Sequence, residues 1–153
     1  MLRKFALTGK VNCFKISPNG YIIAISIDKT IYLYDFYTQK QIAILNKHFK
    51  PITCLEFTND SSHLVSGSAD SQIFAWRIHD HFEMNDITRT ASVDLKRFSG
   101  HHNIIKSIKI GYGGASGKLY SAGLDNTIKV IFKFFAAEMY FFGLEKLLRS
   151  ECF

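Results

Sequence analysis

Proline and glycine are scarce in this sequence. Only 2 of the 153 residues are proline and 10 are glycine, while 47% are hydrophobic and 21% are charged. A collagen repeat needs glycine at every third position, and a disordered chain has far fewer apolar residues, so both classes are excluded. Enough apolar surface is present to offset the entropy lost on folding, and we expect one globular unit.

Cysteine is equally sparse. The three cysteines, Cys13, Cys54 and Cys152, are odd in number and widely spaced, and no two of them form a Cys-x-x-Cys pair. This pattern indicates neither a disulfide framework nor a zinc ribbon, and it is typical of a protein from a reducing compartment.

Long hydrophobic runs are missing as well. The first residues are basic, but the apolar run of about seven or more residues that a secretory signal requires does not follow them. The most apolar stretch, 130–142, contains Lys133 and Glu138 and is shorter than the roughly 20 residues that span a bilayer. The sequence therefore predicts a soluble, intracellular protein that has no membrane partner.

Acidic residues are in the minority. The 13 acidic and 19 basic residues give a formal net charge of +6 and an isoelectric point near 9.2. This balance permits an acidic partner, nucleic acid included, but the sequence lacks the dense basic run of a dedicated nucleic-acid arm.

A repeat of about forty residues organises the chain. Three segments share a turn, an apolar strand, an aspartate turn and a second strand: 17–36, 58–78 and 116–132. The turn aspartates Asp28 and Asp70 are 42 positions apart, and the third aspartate follows 55 positions later. Two polar or glycine-rich insertions, 79–90 and 111–117, lengthen the last interval and are predicted to be surface loops.

Each copy contains short runs in which β-branched and aromatic residues alternate with polar ones, the period-2 pattern of strands. The predicted strands are 11–16, 21–26, 30–36 and 41–45, then 52–57, 63–68, 72–78 and 92–98, then 104–110, 118–123 and 127–132. The fourth strand of the third copy is missing or altered. The predicted units are 1–45, 46–98 with the insertion 79–90, the incomplete 99–132, and an atypical tail, 133–153.

A period near 42 with four strands per unit is typical of a β-propeller blade. Residues at fixed places, within about 8–132, resemble the WD-repeat family. The second copy carries the family's His, Ser, Asp and Trp set as His48, Ser66, Asp70 and Trp76. The predicted fold is all-β, a propeller fragment of about three four-stranded blades. Since complete propellers have about 4–8 blades, its open edges continue in a longer chain or are covered by another chain.

The other two copies match the family less completely. The third copy keeps Gly100, His101, Ser121 and Asp125. It has Ile131 where Trp is usual. The first copy has Asp28, Tyr34-Asp35 at the Trp-Asp position, Ala24 in place of Ser, and Gly9-Lys10 in place of Gly-His.

The resemblance implies that these His, Ser, Asp and Trp residues form a hydrogen-bonded chain through the blade interior. Their chemistry suits that role, because a buried indole N–H, a hydroxyl and a carboxylate each need a partner. Since the repeat pattern explains the serine, histidine and aspartate, no separate catalytic triad is predicted, and we expect the protein not to be an enzyme.

A glycine-rich bend, Gly111-Tyr112-Gly113-Gly114, follows the inserted blade. Together with the blade sequences it looks like the WD-repeat subunit of the nucleolar complex that matures the large ribosomal subunit. That resemblance implies a scaffold for other protein subunits in rRNA processing, located in the nucleus or nucleolus, that docks on the pre-ribosome and helps recruit the AAA ATPase midasin. The alternative is a WD-repeat adaptor of another complex, such as a ubiquitin-ligase substrate receptor.

Direct nucleic-acid binding stays open at this point. Five basic residues of the second and third copies could lie near ribosomal RNA or could simply keep exposed strand faces soluble, and the second interpretation is favoured: Lys96, Arg97, Lys106, Lys109 and Lys118.

The tail follows a different pattern from the blades. From Phe135 onward, apolar residues recur at near-helical spacing, and Lys146 and Arg149 lie near the end of the pattern. The pattern predicts an amphipathic helix. An aberrant gene end and a biological tail remain equally open explanations.

The spacing of particular residues bears on nucleotide, metal and lipid binding. The bend resembles a phosphate loop in its glycines, but Tyr112 and Leu119 stand where Gly and Ser or Thr are required, so no nucleotide cofactor is predicted. The histidines and acidic residues of the 79–90 insertion lack a rigid second pair, so no metal site is predicted. The loop residues most suited to partner docking are His79, His81, Glu83 and Tyr112. The chain contains no Arg-Arg pair of the kind that lipid-binding propellers use.

Overall fold

In a computed structural model, the described residues, 7–78, 95–132 and 141–143, form three four-stranded antiparallel sheets. The first sheet contains β1 (Val11–Ile16), β2 (Ile22–Ile27), β3 (Thr30–Asp35) and β4 (Gln41–Leu45). The second contains β5 (Ile52–Phe57), β6 (His63–Ser68), β7 (Ile73–Arg77) and β8 (Leu95–Phe98). The third contains β9 (Ile105–Ile110), β10 (Lys118–Gly123), β11 (Ile128–Phe132) and β12 (Phe141–Gly143). The prediction of an all-β, three-sheet propeller fragment is confirmed.

Within each sheet, strands that follow one another in the chain are neighbours. We call the sheets the first, second and third blades. The blades meet through their inner strands, since β5 lies next to both β1 and β9. A single 3₁₀ turn, Gly114–Ser116, interrupts the β9–β10 connection. Among the described residues, no helix is long and apolar enough to cross a bilayer.

The fourth strand of the third blade corrects one prediction. The sequence pattern predicts a helix from Phe135 onward, but Phe141–Gly143 is a strand that pairs antiparallel with β11, with Val130 opposite Phe142. The open edge of β11 offers unpaired backbone groups, and aromatic residues suit strands, so main-chain pairing prevails over helical periodicity here. The strand is altered, not missing. The other tail residues, 133–140 and 144–153, lie outside the described residues, as does the insertion 79–90.

Two apolar clusters hold the blades together. One joins the first and second blades around Leu33, Leu64 and Trp76, and the other joins the second and third blades around Val65, Ile108 and Leu119. The middle strand β6 is buried along its whole length because a blade covers each of its faces. Burial on both faces therefore fixes the second blade in place.

An ion-pair bridge follows the three inner strands. The carboxylate of Glu56 on β5 lies 2.9 Å from Lys15 Nζ on β1 and 3.5 Å from Lys109 Nζ on β9. Because all three side chains are partly exposed, the bridge contributes modestly to stability. Its geometry shows that one residue of the second blade contacts both neighbouring blades.

Candidate functional site

The chain passes from one blade to the next at one end of the sheets, which we call the connection end. The β2–β3 and β6–β7 turns lie at this end too, because the strands are antiparallel. The amide of Ile52 donates to the Asp28 carbonyl at 2.8 Å, and the amide of Ala69 donates to the Pro51 carbonyl at 3.0 Å. These bonds tie the turns of each blade to the connection segments.

A chain of four side chains crosses the second blade from its interior to the connection end. The indole N–H of Trp76 donates to Ser66 Oγ at 2.9 Å. Ser66 Oγ lies 2.8 Å from His48 Nε2, and His48 Nδ1 lies 2.9 Å from Asp70 Oδ2. A carboxylate only accepts, so Nδ1 carries the proton, and Nε2 accepts the proton of the Ser66 hydroxyl. The network is satisfied when the His48 ring is neutral.

The electrostatics of the network favour the same state. Burial lowers the pKa of His48, and the hydrogen bond and charge of Asp70 offset this only in part. Burial raises the pKa of Asp70, but hydrogen bonds from His48 and from the amides of Phe49 and Gln72 outweigh it, so the pKa is lowered. The pair therefore consists of a neutral imidazole and a carboxylate.

The carboxylate of Asp70 also organises the surrounding backbone. Its Oδ2 accepts from the amide of Phe49 at 3.0 Å, and its Oδ1 accepts from the amide of Gln72 at 2.9 Å. Ser68, which the sequence analysis did not single out, lies with its hydroxyl 2.9 Å from the Lys50 carbonyl. One buried network thus fixes the conformation of both the β4–β5 connection and the β6–β7 turn.

The third blade repeats most of this network. His101 Nδ1 lies 2.8 Å from Asp125 Oδ2, and His101 Nε2 lies 2.8 Å from Ser121 Oγ. Asp125 also accepts from the amide of His102 at 3.0 Å and from the hydroxyl of Thr127 at 2.8 Å. Burial raises the pKa of Asp125, but these hydrogen bonds outweigh burial and hold that pKa far below its usual range. Thr127 was also missed, although its place two residues after the aspartate could have indicated it.

Among its described residues, 7–45, the first blade has no such network. Its register also corrects the sequence alignment. Phe14 pairs with Ile25, just as Leu55 pairs with Ser66, so Ile25 occupies the place of Ser66. The prediction that Ala24 replaces the serine is wrong. Between equivalent pairs the first turn is one residue shorter: four residues separate Ser26 from its partner Ile31, whereas five separate Gly67 from its partner Ile73. The shorter turn shifts the register by one residue.

The serine, histidine and aspartate of this network are the same three residue types that form the catalytic triad of many hydrolases. Ser66, however, is 0% exposed and is enclosed between two blades, so its hydroxyl does not face solvent. A nucleophile must reach its substrate, and the arrangement instead resembles a stabilising network.

The glycine-rich bend is a closed turn. The amides of Gly111, Ser116 and Gly117 donate to carbonyls of the bend itself or of Lys118. A Cβ on Gly117 would lie 3.0 Å from three of the bend's carbonyl oxygens, so only glycine fits there without movement. These three amides cannot also cradle a phosphate.

Of the loop residues predicted to contact a partner, the structure describes Tyr112 alone. Tyr112, at the tip of the bend, is 95% exposed, while His79, His81 and Glu83 lie outside the described residues. Within the described part of the chain no group of three His, Cys, Asp or Glu side chains could hold a metal ion. The five basic residues considered above are distributed over β8, β9 and β10, on two blades.

Comparison with known proteins adds a family and two groups of relatives. The family model "WD domain, G-beta repeat" matches residues 2–35, 39–77 and 92–131. The chain is 34% identical over 128 residues to WD repeat-containing protein 18 of Bos taurus. The aligned region covers 84% of this chain and 29% of that protein. It is 35% identical over 123 residues to the pre-rRNA-processing protein crb3/ipi3 of Schizosaccharomyces pombe, covering 77% of this chain and 28% of the relative.

The fold resembles solved structures as well. The crystal structure of the RRP9 WD40 repeats superposes with a TM-score of 0.69 at 17% sequence identity, over 90% of this chain and 38% of that one. At this identity the likeness concerns the fold alone. The chain spans less than a third of the length of the two sequence relatives described.

Proposed function

The chain belongs to the WD40-repeat family, and we propose that it is a non-catalytic scaffold for protein–protein interaction in rRNA processing and assembly of the large ribosomal subunit. The observation that carries this proposal is the 35% identity to a protein named for pre-rRNA processing. The similarity to WD repeat-containing protein 18 extends over 84% of the chain.

The geometry of the blades supports a binding role. We assign the residues of the two histidine networks, His48, Ser66, Asp70 and Trp76 with His101, Ser121 and Asp125, to the stabilisation of the blades. Their hydrogen bonds hold the connections and turns in fixed conformations. A rigid support that presents exposed loops suits recognition of other proteins.

The partners that we propose are other protein subunits of an assembly complex, together with the pre-ribosome and the AAA ATPase midasin. The corresponding location is the nucleus or nucleolus. Within the chain, we propose that Tyr112 and the 79–90 loop with His79, His81 and Glu83 contact a partner. The exposure of Tyr112 supports this, because an aromatic ring exposed at 95% is available for burial in an interface.

Affinity purification of the tagged chain from its native cells, followed by mass spectrometry, tests the proposal. We expect large-subunit assembly factors and midasin to be enriched, with pre-rRNA in the same fraction. Tyr112→Ala should lower the yield of a direct partner without changing folding. The control, Tyr120→Ala, removes the same ring from a strand instead of the bend. Enrichment of ubiquitin-ligase subunits in place of assembly factors would overturn the ribosomal assignment.

A further inference from the structure

Four lysines lie close together at the connection end of the first and second blades. All four are exposed, and they are Lys10, Lys29, Lys47 and Lys50. Three contacts of the backbone bring them around the β2–β3 turn. Val11 pairs with Ile27, Ile31 pairs with Leu45, and the amide of Ile52 donates to the Asp28 carbonyl. Residues distant in the sequence therefore form one surface.

The charge of this surface is positive. None of the four lysines forms an ion pair with another described residue. The carboxylate of Asp70 is occupied by His48 and by two backbone amides, so it offers little to the lysines. Asp28 is the exposed acidic residue beside them. Four positive charges thus face one exposed negative charge.

The same connection segment that carries Lys47 and Lys50 also carries an exposed aromatic ring, that of Phe49. Phe49 is 82% exposed and lies between His48 and Lys50 in the β4–β5 connection. Its amide is held by Asp70 at 3.0 Å, and its neighbour His48 is buried in the network. The backbone under Phe49 is therefore fixed, and its ring is presented to solvent at little further cost in conformational entropy.

The equivalent position in the third blade lacks both features. Asp125 accepts from the amide of His102 as Asp70 accepts from that of Phe49, so His102 takes the place of Phe49. Asn103 then takes the place of Lys50. The combination of lysines and an exposed phenylalanine is therefore particular to the first two blades and does not follow from the shared blade structure.

We infer that this lysine surface, formed by Lys10, Lys29, Lys47, Lys50 and Phe49, binds single-stranded RNA. Lysine ammonium groups neutralise backbone phosphates as point charges, and an exposed aromatic ring stacks on a base. Stacking on Phe49 requires a base that is free of a duplex, which selects a single strand. The inference depends on charge and exposure and stands apart from the proposed scaffold role.

Fluorescence anisotropy with a fluorescein-labelled 12-nucleotide oligouridine tests this inference on the whole 153-residue chain. Binding should weaken with salt, with a log–log slope of about −2 to −3 for three or four neutralised phosphates. A duplex of the same length should bind less tightly at the same salt concentration, since its bases cannot stack on the ring.

Matched variants distinguish RNA binding at the lysine surface from non-specific electrostatic attraction of RNA to the basic chain. Lys29→Ala and Lys40→Ala remove the same charge from exposed loops at opposite ends of the first blade. We expect Lys29→Ala to weaken binding and to reduce the slope by about 0.7, and Lys40→Ala to do neither. Equal effects of the two variants, or no measurable binding by the wild type, would overturn the inference.

The ring has its own test. Phe49→Leu keeps an apolar side chain but removes the stacking face, so affinity for oligouridine should fall at least about fivefold, whereas Phe49→Tyr should bind nearly as the wild type does. A 12-residue peptide of alternating glutamate and phenylalanine serves as the competing ligand. Tighter binding of that peptide than of oligouridine, with no loss in Phe49→Leu, would identify the surface as a site for acidic protein segments and contradict the inference.

Discussion

Trp76 donates its indole N–H to the hydroxyl of Ser66 across 2.9 Å, and this bond exists in the second blade alone among the described blades. In the third blade, Ser121 bonds to His101 in the same way, but Ile131 stands where the tryptophan would be and has no N–H to donate. The Ser66 hydroxyl therefore forms hydrogen bonds with two rings, and the Ser121 hydroxyl with one.

Replacement of the two serines should expose this difference. Ser66→Ala leaves both the Trp76 N–H and His48 Nε2 without their partner, and we expect a loss of about 1–3 kcal/mol in unfolding free energy. Ser121→Ala leaves one ring nitrogen unpaired and should cost about 1 kcal/mol less. Urea unfolding followed by the fluorescence of Trp76, the single tryptophan, measures both. Equal losses would show that the indole bond contributes little.

Asp70 should contribute more to the free energy of unfolding than Asp28, the turn aspartate of the first blade. The Asp70 carboxylate accepts three hydrogen bonds through its two oxygens. Asp70→Asn replaces one of these oxygens by an NH₂ group that cannot accept, so one or two of the bonds are lost and we expect a cost of about 1–3 kcal/mol. Asp28→Asn is the control, because Asp28 is exposed and Asn tolerates its positive φ of 51°. Its effect should stay within about 0.5 kcal/mol. Similar values for both would place Asp70 outside a stabilising network.

Acidification should destabilise the protein in two windows. The pKa of His48 is lowered from its ordinary value of 6.5, so the unfolded chain binds the proton more readily and stability falls as pH drops below about 6.5. The lowered pKa values of Asp70 and Asp125 add a second loss below about pH 4.

Urea unfolding at pH 7.5, 6.0 and 5.0 checks the first window. His48→Gln removes the titrating ring, so its unfolding free energy should change less between these pH values than that of the wild type. An identical pH dependence in the two proteins would rule out His48 as the source.

The contact between the second and third blades should not tolerate a methyl group at Gly67. A Cβ there would lie 2.7 Å from Ile108 Cδ1 and 2.8 Å from both Cys54 Sγ and Ile105 Cγ2. Gly67→Ala should cost about 1–3 kcal/mol through overpacking. Gly111→Ala is the matched control, because its Cβ meets its nearest neighbour at an ordinary 3.6 Å. Thermal unfolding compares the two, and equal midpoints would contradict the packing argument.

The repeat could be predicted from the residues because its information is local. Alternating strands, turn residues and the recurring His, Ser and Asp positions lie within one blade's length, and the strands are found within a few residues of their predicted limits. The pairings His48 with Asp70 and His101 with Asp125 follow the same recurrence.

The remaining features depended on contacts between distant segments. A single missing residue in the β2–β3 turn replaces Ala24 by Ile25 at the serine position, and two neighbouring apolar residues give no local sign of such a shift. The pairing of Phe141–Gly143 with β11 overrides a helical pattern that the tail shows by itself. Helical and strand periods are both local signals, and an available sheet edge decides between them.

Local pattern thus established the blades, their order and the residue types of their networks. Tertiary structure decided contacts between blades that the pattern did not indicate: the carboxylate of Glu56 meets Lys15 of the first blade and Lys109 of the third. The physical reason is the two-residue period of a strand, since a shift of one residue turns every side chain to the opposite face, and only pairing across strands sets that register.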